Sequence, residues 1–306
     1  MMPGGQARGK GSELPKVGEG DFRYELDTSW PKIPEGWSLG LCSDVAVDSK
    51  DRVFVFNRAR HPIVIFSQRG DFISSWGECE FKAPHGIFIA PDDSVWLTDT
   101  QLHVVTRHSP NGEMLQQLGE RGVCSPTVSN RGQNGKPFNM PSGVAIGKSG
   151  DIFVSDGYGN RRVHRFSPKG ELKLSWGAPG MGPGEFALLH NVGIDSQGRV
   201  FICDRENSRI QIFNQQGKYL AEWTDVLSPG DVYMSQDKLI YVAEQGSPTG
   251  VSIFTEKGDL LCRWRGARAG MEAPHGIWAD SKGNVYVAEI GQPGHGQRCR
   301  KYARVR

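Results

Sequence analysis

The chain has 306 residues, which is enough for one or two domains with a sizeable core. Its net charge of +2 comes from interspersed acidic and basic residues and gives no reason to expect a nucleic acid or an anionic membrane as a partner. The 40 glycines and 18 prolines separate short apolar runs rich in Val, Ile and Phe, which favours β-strands joined by turns.

The first 20 residues lack the apolar centre of a signal peptide, so we predict a flexible tail over residues 1–20 and a single domain over residues 21–306. No apolar run approaches the length that spans a membrane. The 6 cysteines are scattered without paired spacing, which predicts free thiols and a cytoplasmic protein.

One unit of four predicted strands recurs six times along the chain. The units open at Ser43, His85, Ser142, His190, Gly230 and His275, so their starts are 40 to 57 residues apart, the spacing of propeller blades. The sixth unit stops one strand short, and the alternating segment Phe22–Trp30 is suited to supply the missing outer strand. The sequence therefore predicts an all-β fold, a six-bladed β-propeller whose ring is closed by an N-terminal strand.

A long insertion, Glu120–Asn139, separates the second and third units. Connections of this length are commonly lids or binding loops. We predict that it covers the mouth of the central channel and tunes the choice of substrate.

Histidine opens the first strand in alternate units, at His85, His190 and His275. The first strand of a blade lines the channel, so three alternate blades would direct three imidazoles inward at roughly equal angles. Three His nitrogens with an open fourth position are typical of catalytic zinc. The alternative is that Pro-His-Gly is a recurring turn whose histidine hydrogen-bonds neighbouring backbone. That explains the two "APHGI" copies, but it explains His190 poorly and does not explain the alternation.

The end of the second strand also reaches the predicted mouth, and it carries an acidic residue in five units. These residues are Asp99, Asp156, Asp204, Glu244 and Glu289, and we interpret them as structural acceptors for turn amides or for a neighbouring blade's arginine.

Arg58 and Arg205 follow that position in the first and fourth units, where they could bind a carboxylate-bearing substrate; the alternative for Arg205 is an inter-blade salt bridge. Tyr158 lies in a Gly-flanked turn of the third unit. With its pKa lowered by a metal ion and arginine it could act as a base, although such a tyrosine is more often a packing residue.

The segments "VAVDSKDRVFVFNR", "PHGI", "DGYGNRRVHRFSP" and "DRENSRIQIF" resemble NHL repeats, and in particular the peptidyl-α-hydroxyglycine α-amidating lyase family, over nearly all of residues 21–306. The resemblance implies zinc bound by His85, His190 and His275, a catalytic tyrosine at Tyr158, and active-site arginines at Arg58 and Arg205. It also implies a structural calcium ion held by the backbone carbonyls of Val45 and Ile87.

This sequence departs from that family at several positions. The family's calcium-binding aspartate is Gly276 here, which puts the calcium in doubt, and a methionine near its zinc is Ala273. The positions of its two disulfides have no cysteine here and fall on Asn139, Gly159, Phe201 and Ile212.

From these features we predict a zinc-dependent carbon–nitrogen lyase. Its substrate would be a small molecule or short peptide bearing an α-hydroxy-amide, which is cleaved to an amide plus glyoxylate or an aldehyde. The alternatives are a metal-dependent hydrolase of the lactonase kind and a non-catalytic NHL interaction module.

Overall fold

The computed structural model describes residues 16–125, 138–266, 270–291 and 298–305. It consists of six antiparallel sheets arranged as the blades of a propeller, which confirms the predicted fold class. Within the described ranges there is no α-helix, and therefore none that is long and apolar enough to cross a membrane.

The chain enters through β1 (Lys16–Glu19) and β2 (Phe22–Leu26) before the first complete blade. The strands of blades one and two are β3 (Cys42–Val47), β4 (Val53–Asn57), β5 (Ile63–Phe66), β6 (Phe72–Trp76), β7 (Pro84–Ile89), β8 (Val95–Asp99), β9 (Val104–His108) and β10 (Met114–Leu118). Those of blade three, followed by a small two-stranded ribbon, are β11 (Gly143–Ile146), β12 (Ile152–Asp156), β13 (Arg162–Phe166), β14 (Leu172–Trp176), β15 (Ala178–Pro179) and β16 (Glu185–Phe186).

Blades four to six complete the ring. Their strands are β17 (Leu189–Ile194), β18 (Val200–Asp204), β19 (Arg209–Phe213), β20 (Tyr219–Trp223), β21 (Pro229–Met234), β22 (Leu239–Glu244), β23 (Gly250–Thr255), β24 (Leu260–Arg265), β25 (Pro274–Ala279), β26 (Val285–Glu289) and β27 (Cys299–Val305). A 3₁₀ turn, Arg205–Asn207, follows β18.

The N-terminal strand closes the ring as predicted. Strand β2 pairs antiparallel with β27 and becomes the fourth strand of blade six. The predicted limit of the tail at residue 20 is wrong, because β1 pairs with β2 as a fifth strand and its Val17 is buried. Residues 1–15 of the predicted tail lie outside the described residues.

The second strand of each blade is buried on both faces, which explains why it is nearly continuous in apolar residues. All five residues of β4, "VFVFN", are buried, whereas β6 at the rim is mostly exposed. Apolar side chains of neighbouring blades pack together, as Ala46 and Phe54 of blade one do with Ile87 and Leu97 of blade two. The core therefore lies between blades and leaves the axis to polar residues.

The first strands surround the axis. Each of β3, β7, β11, β17, β21 and β25 contacts the first strand of the next blade, and β25 returns to β3. Because the strands within a blade are antiparallel, the start of the first strand and the end of the second lie at the same end of the channel, here called the mouth. Candidate site residues from both positions therefore meet at the mouth.

Candidate metal centre

The three predicted histidines meet on the axis. His85, His190 and His275 are each at least 97% buried, and one nitrogen from each lies within 4.8 Å of the others. Their ring centroids are 4.5–4.8 Å apart, close to an equilateral triangle. Each histidine lies at an irregularity in the register between the first two strands, a feature that redirects side chains beside functional sites.

A backbone hydrogen bond to the next blade fixes each ring. The Nδ1 atoms of His85, His190 and His275 lie 2.6, 2.6 and 2.5 Å from the carbonyl oxygens of Ser142, Gly230 and Ser43. A carbonyl can only accept, so Nδ1 carries the proton and Nε2 keeps its lone pair. These bonds to backbone are what the turn interpretation expects, but that interpretation does not explain why one nitrogen of each ring converges with the other two on the axis.

The Nε2 atoms are available for a ligand. His190 Nε2 is buried and has no hydrogen-bond partner among the described residues, while His85 Nε2 accepts from the hydroxyl of Tyr158 at 3.0 Å. Burial lowers the pKa of all three rings, that of His275 to about 3, and the neighbouring imidazoles or arginines add to the effect. The rings are therefore neutral at physiological pH, and this donor set fits a metal ion that binds imidazole nitrogen.

The glycines on either side of Tyr158 allow its turn to pack closely against other segments, which brings the phenol ring to the triad. A Cβ on Gly157 would lie 1.6 Å from the carbonyl oxygen of Leu189, and one on Gly159 would lie 2.2 Å from Asn139 Cγ. Burial raises the pKa of Tyr158, and Arg205 and Arg58 offset only part of that effect. This shift comes from the protein side chains alone, so the lowering of the Tyr158 pKa by a metal ion together with arginine stays a prediction.

The two predicted arginines flank the tyrosine. Arg58 is exposed at the mouth, and its Nε donates to the carbonyl of Pro84 at 3.1 Å. The Arg205 guanidinium carbon lies 5.8 Å from the centroid of the Tyr158 ring. Arg205 pairs with the adjacent Glu206 at 2.8 Å and donates to Gln245 in the next blade at 3.3 Å. Its salt bridge therefore forms within its own blade, whereas the predicted alternative was a bridge between blades.

The acidic column has the structural role that we predicted for it. Each carboxylate accepts a main-chain N–H from the segment that leads into its own blade, as Asp99 does from Lys82 at 2.7 Å and Glu289 from Glu272 at 2.7 Å. The arginines that pair with Glu244 and Glu289, Arg265 and Arg300, belong to the same blade, so the predicted inter-blade pairing does not occur there.

A second polar layer lies next to the triad along the channel. Asp44 accepts the N–H groups of Val45 at 2.8 Å and Ile87 at 2.9 Å, the two residues that the family resemblance assigns to calcium. A Cβ on Gly276 would lie 2.0 Å from Asp44 Oδ1, so a carboxylate from blade one fills the place where blade six lacks a side chain.

Asp231 completes this layer. It accepts from Val232, Ile277 and Asn191, and its carboxyl group is close enough to that of Asp44 for each to influence the pKa of the other. Burial raises the pKa of both carboxyl groups, that of Asp231 to about 6, and the second carboxyl group adds to the rise for Asp44. The four carboxylate oxygens accept hydrogen bonds from N–H groups, and we derive no step through calcium.

The long insertion lies mostly outside the described residues, which resume at Phe138. Its two ends are held beside the Tyr158 turn, because Asn139 Nδ2 donates to the carbonyl of Ser125 at 2.9 Å and Gly159 N–H donates to that of Asn139 at 3.0 Å. Asn139 thus packs against Gly159, and Phe201 lies directly opposite Ile212. At these four positions, which the family resemblance assigns to disulfides, non-covalent contacts join the chain.

Comparison with known proteins agrees with this geometry. Residues 137–250 match a family described as a 6-bladed beta-propeller. Human NHL repeat-containing protein 3 is 32% identical over 290 residues, which are 88% of this chain and 82% of that protein. The chain belongs to the NHL-repeat family.

This NHL-repeat protein is also homologous to amidating enzymes. Peptidyl-glycine alpha-amidating monooxygenase B of Xenopus laevis is 29% identical over 88% of the chain, and peptidyl-alpha-hydroxyglycine alpha-amidating lyase 1 of Drosophila melanogaster is 27% identical over 87%. The NHL-repeat chain covers 35% of the first protein and 58% of the second, so it corresponds to only part of either.

Solved structures share the fold at lower identity. A streptogramin B lyase superposes with a TM-score of 0.61 at 14% identity, over 92% of this chain and 87% of that one. A gluconolactonase of Xanthomonas campestris superposes with a TM-score of 0.62 at 13% identity, over 98% of both chains. These likenesses show the propeller architecture of the NHL-repeat protein and nothing of its chemistry.

Proposed function

We propose that this protein is a zinc-dependent lyase that cleaves the C–N bond of an α-hydroxy-amide resembling peptidyl-α-hydroxyglycine. The products would be the amide and glyoxylate. The observation that carries the proposal is the triad of His85, His190 and His275, whose neutral rings converge on the axis with Tyr158 OH 3.0 Å from His85 Nε2.

Zinc is the metal we propose for the triad because three imidazoles with an open position are its usual catalytic ligand set. When bound there, zinc would supply Lewis acidity that makes a substrate oxygen easier to deprotonate. The three Nδ1–carbonyl hydrogen bonds support this assignment, since they keep the rings in the tautomer and orientation that a metal requires.

Tyr158 would accept the proton of the substrate hydroxyl as the base. Breaking the C–N bond then leaves glyoxylate as an aldehyde, and the departing amide nitrogen receives one proton, so the reaction is balanced without water or a redox partner. Because burial raises the Tyr158 pKa, the arginines alone do not favour the phenolate enough, and the base role depends on the positive charge of a bound metal ion.

Arg58 and Arg205 would bind the carboxylate of the substrate at the mouth. Both are permanently charged and lie close enough to Tyr158 to influence its pKa. They would hold the hydroxylated carbon near the tyrosine and stabilise negative charge that develops during bond cleavage.

The experiment that tests this proposal is the incubation of zinc-loaded protein with α-hydroxyhippurate. We expect glyoxylate and benzamide in equal amounts, with activity lost on chelation and restored by zinc. No glyoxylate above the uncatalysed rate would contradict the proposal. Hydrolysis of gluconolactone without glyoxylate release would favour the lactonase alternative, and inertness toward both compounds would favour an interaction module.

Other parts of the proposal rest on the sequence. We propose a cytoplasmic location with free thiols, which the six unpaired cysteines of the structure are consistent with. We also propose that the insertion Glu120–Asn139 tunes substrate choice, supported by the contacts of its ends beside Tyr158. The partner would be a small molecule or a short peptide.

A further inference from the structure

Gln245 is a polar residue at the mouth that the sequence pattern does not single out. It directly follows β22 and occupies the same repeat position as Arg58 and Arg205. Its side chain packs over Gly230, since a Cβ built on Gly230 would lie 2.6 Å from Gln245 Nε2. Gly230 opens the first strand between the blades of His190 and His275, so the amide occupies the space of an absent side chain beside the triad.

The orientation of the Gln245 amide follows from its neighbour. Arg205 Nη1 donates to Gln245 Oε1 at 3.3 Å, and a guanidinium group has no acceptor, so the oxygen must face the arginine. The NH₂ group therefore points the other way. Its nitrogen is buried and has no hydrogen-bond partner among the described residues, which is costly unless a ligand provides an acceptor.

The odd-numbered blades share a pattern that includes Gln245. Blades one, three and five each have a small residue in the inward column and a long polar residue at the end of the second strand, at Arg58, Tyr158 and Gln245. The even-numbered blades provide the histidines, and blade four also provides Arg205. Gln245 is therefore one of four long polar residues at the mouth beside the triad.

We propose that Gln245 is a substrate-binding residue that determines specificity for a carboxylate-bearing substrate. Its Nε2 donates a hydrogen bond to one carboxylate oxygen while the adjacent Arg205 binds the other. This inference rests on the proposed function for the identity of the substrate, but the binding of a carboxylate tests it separately.

The test compares two carbinolamides with the zinc-loaded protein. α-Hydroxyhippurate carries the carboxylate, and N-(hydroxymethyl)benzamide has the same reacting group without it. In Gln245→Glu the donor is replaced by an acceptor of the same shape, and in Gln245→Met both polar atoms are lost without a change of charge. We expect kcat/KM for α-hydroxyhippurate to fall about 10- to 100-fold in Gln245→Glu and about 10-fold in Gln245→Met, mainly through KM.

Gln245→Met, which adds no charge beside Arg205, should change kcat/KM for N-(hydroxymethyl)benzamide by less than about 3-fold, because no carboxylate is present to lose its donor. Gln216→Glu is the matched control, since it makes the same charge change at an exposed turn at the opposite end of the propeller. Equal losses for both substrates would indicate a structural role and overturn the inference, as would unchanged kinetics.

A binding measurement separates this inference from the proposed function. Calorimetry with hippurate, a carboxylate that the protein cannot cleave, should give a Kd about 10-fold or more weaker for Gln245→Glu than for wild type. If wild type binds hippurate but releases no glyoxylate, the proposed reaction fails while the binding role stands. Equal affinities, or no binding to wild type, would overturn the role of Gln245.

Discussion

At the scale of single residues, the contact between Tyr158 and His85 connects the proposed base to the proposed metal ligands. The hydroxyl lies 3.0 Å from His85 Nε2, and the Arg205 guanidinium lies over the phenol ring. The orientation of the histidine rings does not depend on the phenol, because the Nδ1 hydrogen bond of each histidine fixes its ring. Removing the hydroxyl should therefore alter the chemistry and leave the triad in place.

Tyr158→Phe tests that expectation. Loss of a general base commonly lowers the rate by ~10²–10⁴, and we expect a loss of kcat in this range for α-hydroxyhippurate. Metal content and thermal stability should match those of wild type. Wild-type turnover in the variant would remove Tyr158 from the mechanism, and loss of metal would mean that the residue supports the triad instead.

The sequence could predict the triad but not the state of the residues around it. The histidines occupy one repeat position, and in a propeller the residues at one position of the first strands lie close together around the axis. The pKa of Tyr158 depends on burial, which the repeat pattern does not report. The role of Gln245 depends on the space that Gly230 leaves beside it and on the hydrogen bond by which Arg205 orients its amide. These contacts join residues that are far apart along the chain, so the repeat pattern does not reveal them.

At the scale of strands, the carboxyl groups of Asp44 and Asp231 join first strands of neighbouring blades beside the channel. Asp44 of β3 accepts the N–H of Ile87 in β7, and Asp231 of β21 accepts that of Ile277 in β25. Each bond fixes one first strand against another close to a histidine. The layer thus supports the geometry of the triad from one side.

Asp44→Ala should destabilise the protein, because the buried N–H groups of Val45 and Ile87 lose their acceptor. An unsatisfied buried group costs about 1–3 kcal/mol, and for a domain of 150–250 residues each kcal/mol lowers Tm by about 2–4 °C. Asp44→Asn is the isosteric comparison: its amide oxygen can accept only one of the two N–H groups, so it should destabilise the protein less than Asp44→Ala. The layer would lose its proposed role if thermal unfolding showed Tm values for Ala and Asn both equal to that of wild type.

The replacement of the family's aspartate by Gly276 could not be interpreted from sequence alone. The compensating carboxylate comes from Asp44, which is distant along the chain and adjacent only because blade six closes against blade one. A comparison of aligned positions therefore indicates a lost ligand, while the structure places a carboxyl group in the same space.

At the scale of the whole molecule, the ring depends on its N-terminal closure. Strand β2 pairs with β27, and Tyr24 and Leu26 are buried in the same cluster as Trp264 and Tyr302. The alternation of Phe22–Trp30 was sufficient to predict this closure. The boundary of the tail was wrong because β1 is a polar edge strand, "KVGE", whose pairing no apolar pattern reveals.

Deletion of residues 1–27 should prevent stable folding, because blade six loses its outer strand and the buried side chains of β24 and β27 become exposed. We expect insoluble protein or a broad, early thermal transition. Deletion of residues 1–15 is the control and should leave the Tm within about 2 °C of wild type, since it keeps both closing strands. A cooperative wild-type transition in the longer deletion would show that the closure is dispensable.

The central claim is that three alternate blades hold one catalytic metal ion, and elemental analysis of the purified protein tests it most directly. We expect about one zinc per chain in wild type and in the control His61→Ala, and a loss of most of the metal in His85→Ala, His190→Ala and His275→Ala. Full zinc content in any two of the three triad variants, or a wild type that binds no zinc when it is supplied, would contradict the account.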